Sequence, residues 1–287
     1  MAKTSDLDTT VPPLKVWKKV FVKTFFAIGE KRLDTLAAGI AFFGTLSFFP
    51  FMAALVAIGG IVLEPHQMND IANAVGVYLP SDIANLITTQ LTHATQDKSS
   101  NGIIAIGAVI LAIFGISGAV TTAISATNAA YGIQETRNAI KLRITSMVWT
   151  FIILVLIQIM LPLLFVGNKL LTNLQIPAET IALYGYLRWI ILFVLLTIGL
   201  ALFYHYGPNR ARTKFQWLSW GALTATLLWI FVTALFFVYL QYFANFSNSY
   251  SLFAGIIAMM MWLNFSSLAI LVGAEVNYQL ERTKRKR

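Results

Sequence analysis

The residues able to carry metal or nucleophile chemistry in this 287-residue chain are few: three histidines, His66, His93 and His205, and no cysteine. Metal-assisted hydrolysis of a phosphodiester needs several His and Asp ligands converging on one or two ions that activate water. No H-x-H or H-E-x-x-H spacing occurs, and the acids scatter along the chain, with Glu64, Asp70, Asp82, Asp97 and Glu179 far from His205. A G-x-S-x-G elbow, a P-loop and a dinucleotide fingerprint are all missing. Without cysteine there is no disulfide, thiolate metal site or thiol nucleophile. The sequence predicts no catalytic residue, no metal and no cofactor.

What remains is polar chemistry set inside apolar runs, where each polar group is costly enough to need a reason. Gly118, Thr121, Thr122, Ser125 and Asn128 follow one another at i, i+3, i+4, i+7 and i+10. On a helix they make a small and polar stripe, suited to close packing with interhelical hydrogen bonds or to the lining of a partly hydrated cavity. Asn264, Ser266 and Ser267 interrupt a later apolar run, and Glu275 and Asn277 stand at its end. A buried carboxylate needs a cationic partner or a raised pKa, and Arg137, Arg143 and Arg210 are the expected candidates for Glu275. Asn209 and Arg210 follow Pro208 in a turn, where Arg210 is also placed to meet a lipid phosphate. Pro50 and Pro162 fall inside apolar runs and are expected to kink them.

These residues must be positioned by an apolar scaffold. Hydrophobic residues make up 57% and charged residues 11% of the chain, with a mean hydropathy of +0.71. Soluble domains carry about 25% charge, so the composition places this chain in a membrane. A helix needs about 20 apolar residues to cross the hydrocarbon. Six stretches qualify: Leu36–Leu63, Ile103–Ala126, Ile144–Val166, Leu187–Tyr206, Trp217–Leu240 and Leu252–Ala274. The first is too long for a signal segment and no cleavage site follows it, so it reads as a retained span.

The basic residues sort by side. Lys3, Lys15, Lys18, Lys19, Lys23, Lys31 and Arg32 precede the first stretch, and Arg282, Lys284, Arg285, Lys286 and Arg287 follow the last. Arg137, Lys141 and Arg143 lie between the second and third, and Arg210, Arg212 and Lys214 between the fourth and fifth. Only Lys98, Lys169 and Arg188 of the 21 fall on the opposite side. Basic residues are held in the cytoplasm, which predicts an all-α, six-span protein with both termini inside. Its expected parts are a cytoplasmic segment (1–35), a membrane domain (36–274) and a basic tail (275–287). The formal charge of +9 is spread over four short segments rather than gathered in a groove with interleaved aromatics, so nucleic acid is not the expected partner. Anionic headgroups at the cytoplasmic face are.

Two features lie outside the spans. Residues 15–28 set Trp17, Val20, Phe21, Phe25 and Ile28 on one helical face and Lys15, Lys18, Lys19 and Lys23 largely on another, predicting an interfacial amphipathic helix. The outer connection, 64–101, carries two amphipathic patterns, around Met68–Val75 and Ile83–Leu91, the second opened by Pro80-Ser81-Asp82. Trp149, Trp189, Trp217, Trp220 and Trp262 fall mostly near span ends, as interfacial belts do.

Four segments resemble one family. They are LAAGIAFFGTLSFFPFMAAL (Leu36–Leu55), TNAAYGIQETRNAIKLR (Thr127–Arg143), YHYGPNRARTKFQWLSWGAL (Tyr204–Leu223) and the run from Ser249 to Arg282 ending in GAEVNYQLER. In order and spacing they resemble the YihY/BrkB family of bacterial inner-membrane proteins, once labelled ribonuclease BN, over residues 15 to 282. Phe42 and Phe43 stand where members often carry tyrosines, and Tyr250-Ser251 replaces a usual Tyr-Gly. The resemblance implies a multi-pass protein of the bacterial inner membrane that handles lipids or other envelope components. The ribonuclease label conflicts with the topology: RNA is inside, whereas His66 and His93 are expected outside. Two functions remain: moving or handing over an amphiphilic envelope molecule, or anchoring envelope partner proteins. The oligomeric state is left open.

Overall fold

The computed structural model of the protein describes residues 14–62, 98–165, 177–210, 219–243 and 251–285. Among the described residues there are seven helices: α1 (Leu14–Glu30), α2 (Leu33–Val62), α3 (Lys98–Ala130), α4 (Ala139–Phe165), α5 (Ala178–Tyr206), α6 (Trp220–Phe243) and α7 (Ser251–Arg285). The two amphipathic helices expected in the outer connection, with His66 and His93, lie outside the described residues, as do Trp217, Arg212 and Lys214.

Five helices contain segments long and apolar enough to cross a membrane: Val109–Ala130, Ala139–Met160, Glu179–Tyr206, Trp220–Gln241 and Ala254–Thr283. The shorter apolar stretch Leu33–Phe48 belongs to α2. Each segment overlaps a predicted span, and those of α5 and α7 extend well past it, because a helix continues through polar residues that a hydropathy boundary excludes. The difference is largest at α7, which ends at Arg285 rather than Ala274, and next at α5, which begins at Ala178 rather than Leu187. At α7 the helix runs through the whole of 275–285, so the expected tail is largely a continuation of the last span. Pro50 and Pro162 both sit within continuous helices.

Only 11% to 28% of each apolar segment is covered by protein. Large apolar side chains such as Phe151, Phe237, Ile110 and Trp189 stand exposed around the bundle. Water would penalise this surface heavily, whereas hydrocarbon solvates it. The covered positions mix alanines, among them Ala37, Ala41, Ala112, Ala126, Ala222, Ala225 and Ala274, with larger side chains such as Leu33, Ile124, Tyr204 and Leu271. In lipid there is little hydrophobic gain from helix association, so helices meet where small side chains let backbones approach.

The most extensive pairing is α2 on α3. A Cβ added at Gly115 would stand 2.7 Å from Ser47 Cβ, one at Gly118 3.3 Å from Phe43, and one at Gly39 3.4 Å from Thr122. As residue numbers rise on one helix they fall on the other, which makes the pair antiparallel. α6 crosses α7 at Gly221 and Gly273, where a Cβ on Gly273 would meet Gly221 O at 2.5 Å and Ala225 Cβ at 2.6 Å. Thr121 on α3 donates to Ser146 on α4 (2.8 Å), and Thr197 on α5 to Thr226 on α6 (3.1 Å). Trp149 is buried edge-on against Phe203, 5.3 Å between centroids, and Trp262 donates to Thr233 between helices. Both correct their expected place in an interfacial belt: the Trp149 indole fills volume inside the bundle, and that of Trp262 finds a partner for its N–H on a neighbouring helix.

The α6–α7 crossing has no room for a side chain. Gly273→Val should lower stability by about 3 kcal/mol or more, since neither Gly221 O nor Ala225 can move aside cheaply. Gly185→Ala, where nothing lies within 4 Å, should be neutral or stabilising by up to about 1 kcal/mol. Thermal unfolding of both variants in detergent checks this.

Candidate functional site

Six of the polar side chains singled out from sequence, Asn128, Arg137, Asn209, Arg210, Glu275 and Asn277, collect at one end of the bundle. This end holds the starts of α2, α4 and α6 and the last turns of α3, α5 and α7. Helix ends leave backbone groups unsatisfied, and here several are met by side chains from distant parts of the chain.

Glu275 is 0% exposed, and its partner is Lys31, whose Nζ donates to Glu275 Oε2 at 2.6 Å. Gln279 Nε2, one turn later, donates to the other carboxylate oxygen at 2.6 Å. The same ammonium donates to Ala130 O, the last residue of α3, at 2.6 Å and stands 4.1 Å from the centre of the Tyr278 ring. A cation at a helix C-terminus also meets the negative end of the helix dipole. Lys31 thus ties α2, α3 and α7 together.

This corrects the expected pairing of Glu275 with an arginine, because each of the three arginines is engaged elsewhere. Arg137 forms a two-point pair with Glu135, with Nε to Oε1 at 2.8 Å and Nη2 to Oε2 at 2.7 Å, and donates to Gly207 O just past α5 at 3.1 Å. Arg210 pairs with Glu281 at 2.6 Å and lies 4.2 Å from the centre of the Tyr131 ring. Arg143 covers the Phe114 ring at 4.2 Å and donates to Phe114 O at 3.3 Å.

Asn128 links two connections. Its Nδ2 donates to Glu135 Oε2 at 2.8 Å, and its Oδ1 accepts from the backbone N–H of Asn209 at 2.8 Å. The Asn209 side chain donates to Thr136 Oγ1 at 2.6 Å. The chain turns back after α3 because Gly132 takes a φ of +66°, which glycine adopts without strain. The hydrogen bonds of Arg137 hold the Glu135 carboxyl below its usual range, against the opposing effect of burial. Asn277 uses both ends of its amide: Oδ1 accepts from Gly221 N–H at 2.7 Å, and Nδ2 donates to Ser219 Oγ at 3.2 Å and Tyr131 OH at 3.3 Å. Burial pushes the Tyr131 hydroxyl up to about 12, so it stays protonated.

The stripe on α3 divides. Gly118 and Thr122 face α2, Thr121 faces Ser146 of α4, Ser125 is exposed, and Asn128 turns into the end cluster. Thr121 and Thr122 also return hydrogen bonds to Ser117 O and Gly118 O of their own helix. Asn264 lies farther along α7, half-buried and outside this cluster. Sequence reasoning missed Lys31, Glu135, Thr136, Gln279 and Glu281. Two signals were available: Glu275 and Gln279 share a helix face at i, i+4, and Glu135-x-Arg137 places opposite charges within reach of each other. Among the described residues no group of three His, Asp or Glu side chains is placed to hold a metal.

The model of the family described as "Virulence factor BrkB" matches residues 24–287. The chain belongs to the BrkB family. Its match takes in every residue of the end cluster. Among the relatives of this BrkB-family protein is the ribonuclease-like protein YfkH of Bacillus subtilis (strain 168), 28% identical over 272 residues, covering 93% of this chain and 96% of YfkH. The UPF0761 membrane protein IL2447 of Idiomarina loihiensis is 30% identical over 97 residues, 34% of either chain. A UPF0761 membrane protein of Tolumonas auensis is 32% identical over 136 residues, covering 43% of this chain and 45% of that one. No solved structure matches. Family membership and the exposed apolar helices agree on an integral membrane protein.

The Lys31–Glu275 pair can be weighed directly. Lys31→Met strands a carboxylate with no exposed surface and should cost about 3–5 kcal/mol, while adding Glu275→Gln should restore much of that by removing the charge. A double-mutant cycle on thermal unfolding in detergent measures the coupling. Additive losses would show that the two side chains do not act on each other.

Proposed function

We propose that this BrkB-family protein is a six-span, non-enzymatic protein of the bacterial inner membrane with both termini in the cytoplasm, which moves or hands over a lipid or lipid-linked envelope molecule. The sixth span is α2, whose 30 residues extend about 45 Å at the α-helical rise. The start of α2 and the end of α7 lie at the end of the bundle that carries Lys31, Arg137 and Arg210, and this supports both termini being on the side where the basic residues of the sequence are expected. The observation that carries the transfer reading is a ring of ion pairs and amides at the ends of the spans, where headgroups lie, next to apolar helix surface that protein leaves open. Such a boundary offers polar partners to a headgroup and apolar surface to its chains. Ribonuclease activity finds no support in the chemistry of the described residues.

A second reading is a scaffold for envelope partner proteins. It is favoured by the fact that Lys31, Arg137 and Arg210 already have carboxylate partners within the chain, as a purely structural clamp would. Reconstitution in liposomes with fluorescent phospholipids and a quencher confined to the outer leaflet separates the two. Transfer predicts lipid crossing that is lost in Asn128→Leu with the melting temperature within a few degrees of the parent. The scaffold predicts no crossing above protein-free vesicles, and loss of partner capture when residues 66–100 are removed.

A further inference from the structure

The helix α1 differs from the amphipathic pattern read from the sequence, and the difference is informative. The residues it buries are Val20, Thr24 and Ala27. Val20 packs with Val276 and Leu280 of α7, and Trp17 meets Trp220 edge-on at 5.3 Å. Phe21 and Phe25, expected on the same face as Val20, are instead 52% and 72% exposed, as is Leu14 at 87%.

The contacts fix how α1 lies. Near its start, Trp17 touches Trp220, whose neighbour Gly221 is bonded to Asn277. Just past its end, Lys31 is bonded to Glu275. Trp17 and Lys31 are about 21 Å apart along a helical path, while Asn277 and Glu275 differ by only about 3 Å of rise along α7. α1 therefore crosses the axis of α7 rather than following it. It does so at the level where α6 begins and the apolar segment of α7 nears its end. The turn into α2 is made at Arg32, with a φ of 51°.

Around this transverse helix three sectors follow one another. One packs on the bundle through Val20, Thr24 and Ala27. Beside it Leu14, Phe21 and Phe25 repeat at i, i+7 and i+11 on an uncovered apolar flank. On the other side Lys15, Lys19 and Lys23 repeat at i, i+4 and i+8, all exposed, with Lys18 exposed on the outward side between the flanks and the exposed Val22 and Phe26 set among the lysines. A helix at a membrane surface needs this division, with apolar chains below and cations at the phosphates.

We infer that α1 is a binding site for anionic phospholipid: Phe21 and Phe25 enter the acyl region while the lysine flank gathers phosphate headgroups against the bundle. The occupant follows from charge. Four exposed lysines face outward on one helix and Glu30 is the sole acid in it; each such lysine adds to the attraction for an anionic leaflet. The inference rests on the chain being a membrane protein and is independent of whether it transfers lipid.

The absence of native cysteine allows single labels in the full chain. Phe25→Cys and Lys19→Cys, each carrying a bimane fluorophore, are reconstituted in vesicles of phosphatidylcholine and phosphatidylglycerol with one lipid brominated at a time. At equal mole fraction, brominated phosphatidylglycerol should quench the Phe25→Cys label about twofold or more beyond brominated phosphatidylcholine, and aqueous iodide should quench only the Lys19→Cys label. The excess should vanish when Lys15, Lys18, Lys19 and Lys23 are replaced by Gln in the Phe25→Cys chain. Equal quenching by the two lipids in the parent would overturn the anionic preference without reference to that variant. Iodide reaching the Phe25→Cys label would overturn the placement of the helix.

Discussion

Glu275 is covered on every side by protein, and the ammonium of Lys31 is what makes a charge acceptable there. Desolvating a carboxylate costs several kcal/mol even after relaxation, and an opposite charge offsets that only when the remaining lone pairs are also satisfied. Both conditions are met, since Lys31 takes one carboxylate oxygen and Gln279 the other. The consequence is geometric. Lys31 stands in the turn between α1 and α2, and its other donor goes to the last carbonyl of α3. One side chain therefore registers the transverse helix and three further helices, α2, α3 and α7, at the same height. Arg137 and Arg210 repeat the arrangement nearby, each with a carboxylate partner and a second contact to a carbonyl or an aromatic ring.

Away from this end the bundle is held by close contact rather than charge. The approaches at Gly115 and Gly118 bring α2 and α3 together, as Gly221 and Gly273 bring α6 and α7 together beside the ion pairs, and short hydroxyl pairs such as Thr121–Ser146 and Thr197–Thr226 join neighbouring helices. The outer surface of the spans is left to large apolar side chains. Small residues at the helix crossings and large apolar side chains on the outer surface follow from hydrocarbon being the solvent.

The helical class and the position of five membrane-length segments were legible because a run of about 20 apolar residues is a local property of the chain. The amphipathic pattern of α1 was legible as a pattern, but its division into a packed sector and an open flank was not, because that depends on where Val276, Leu280 and Trp220 arrive. Partner choice was the least legible. Lys31 and Glu275 are 244 positions apart, and no rule of spacing singles out that lysine over Arg137, Arg143 or Arg210. The α3 stripe misled for a related reason. Thr121 and Thr122 differ by one helical step, which is enough to send one to α4 and the other to α2. The family match adds the membrane setting but assigns no role to any of these residues.

If the ion-pair ring marks the cytoplasmic end, the connection between α3 and α4 must lie inside the cell. Gln134 is exposed in that connection, and the chain has no cysteine of its own. The direct measurement is reaction of Gln134→Cys with a membrane-impermeant thiol reagent in intact cells, with Gln96→Cys in the opposite connection for comparison. The account predicts that Gln96→Cys reacts in intact cells and Gln134→Cys only after permeabilisation. Reaction of Gln134→Cys in intact cells, with Gln96→Cys protected, would contradict it.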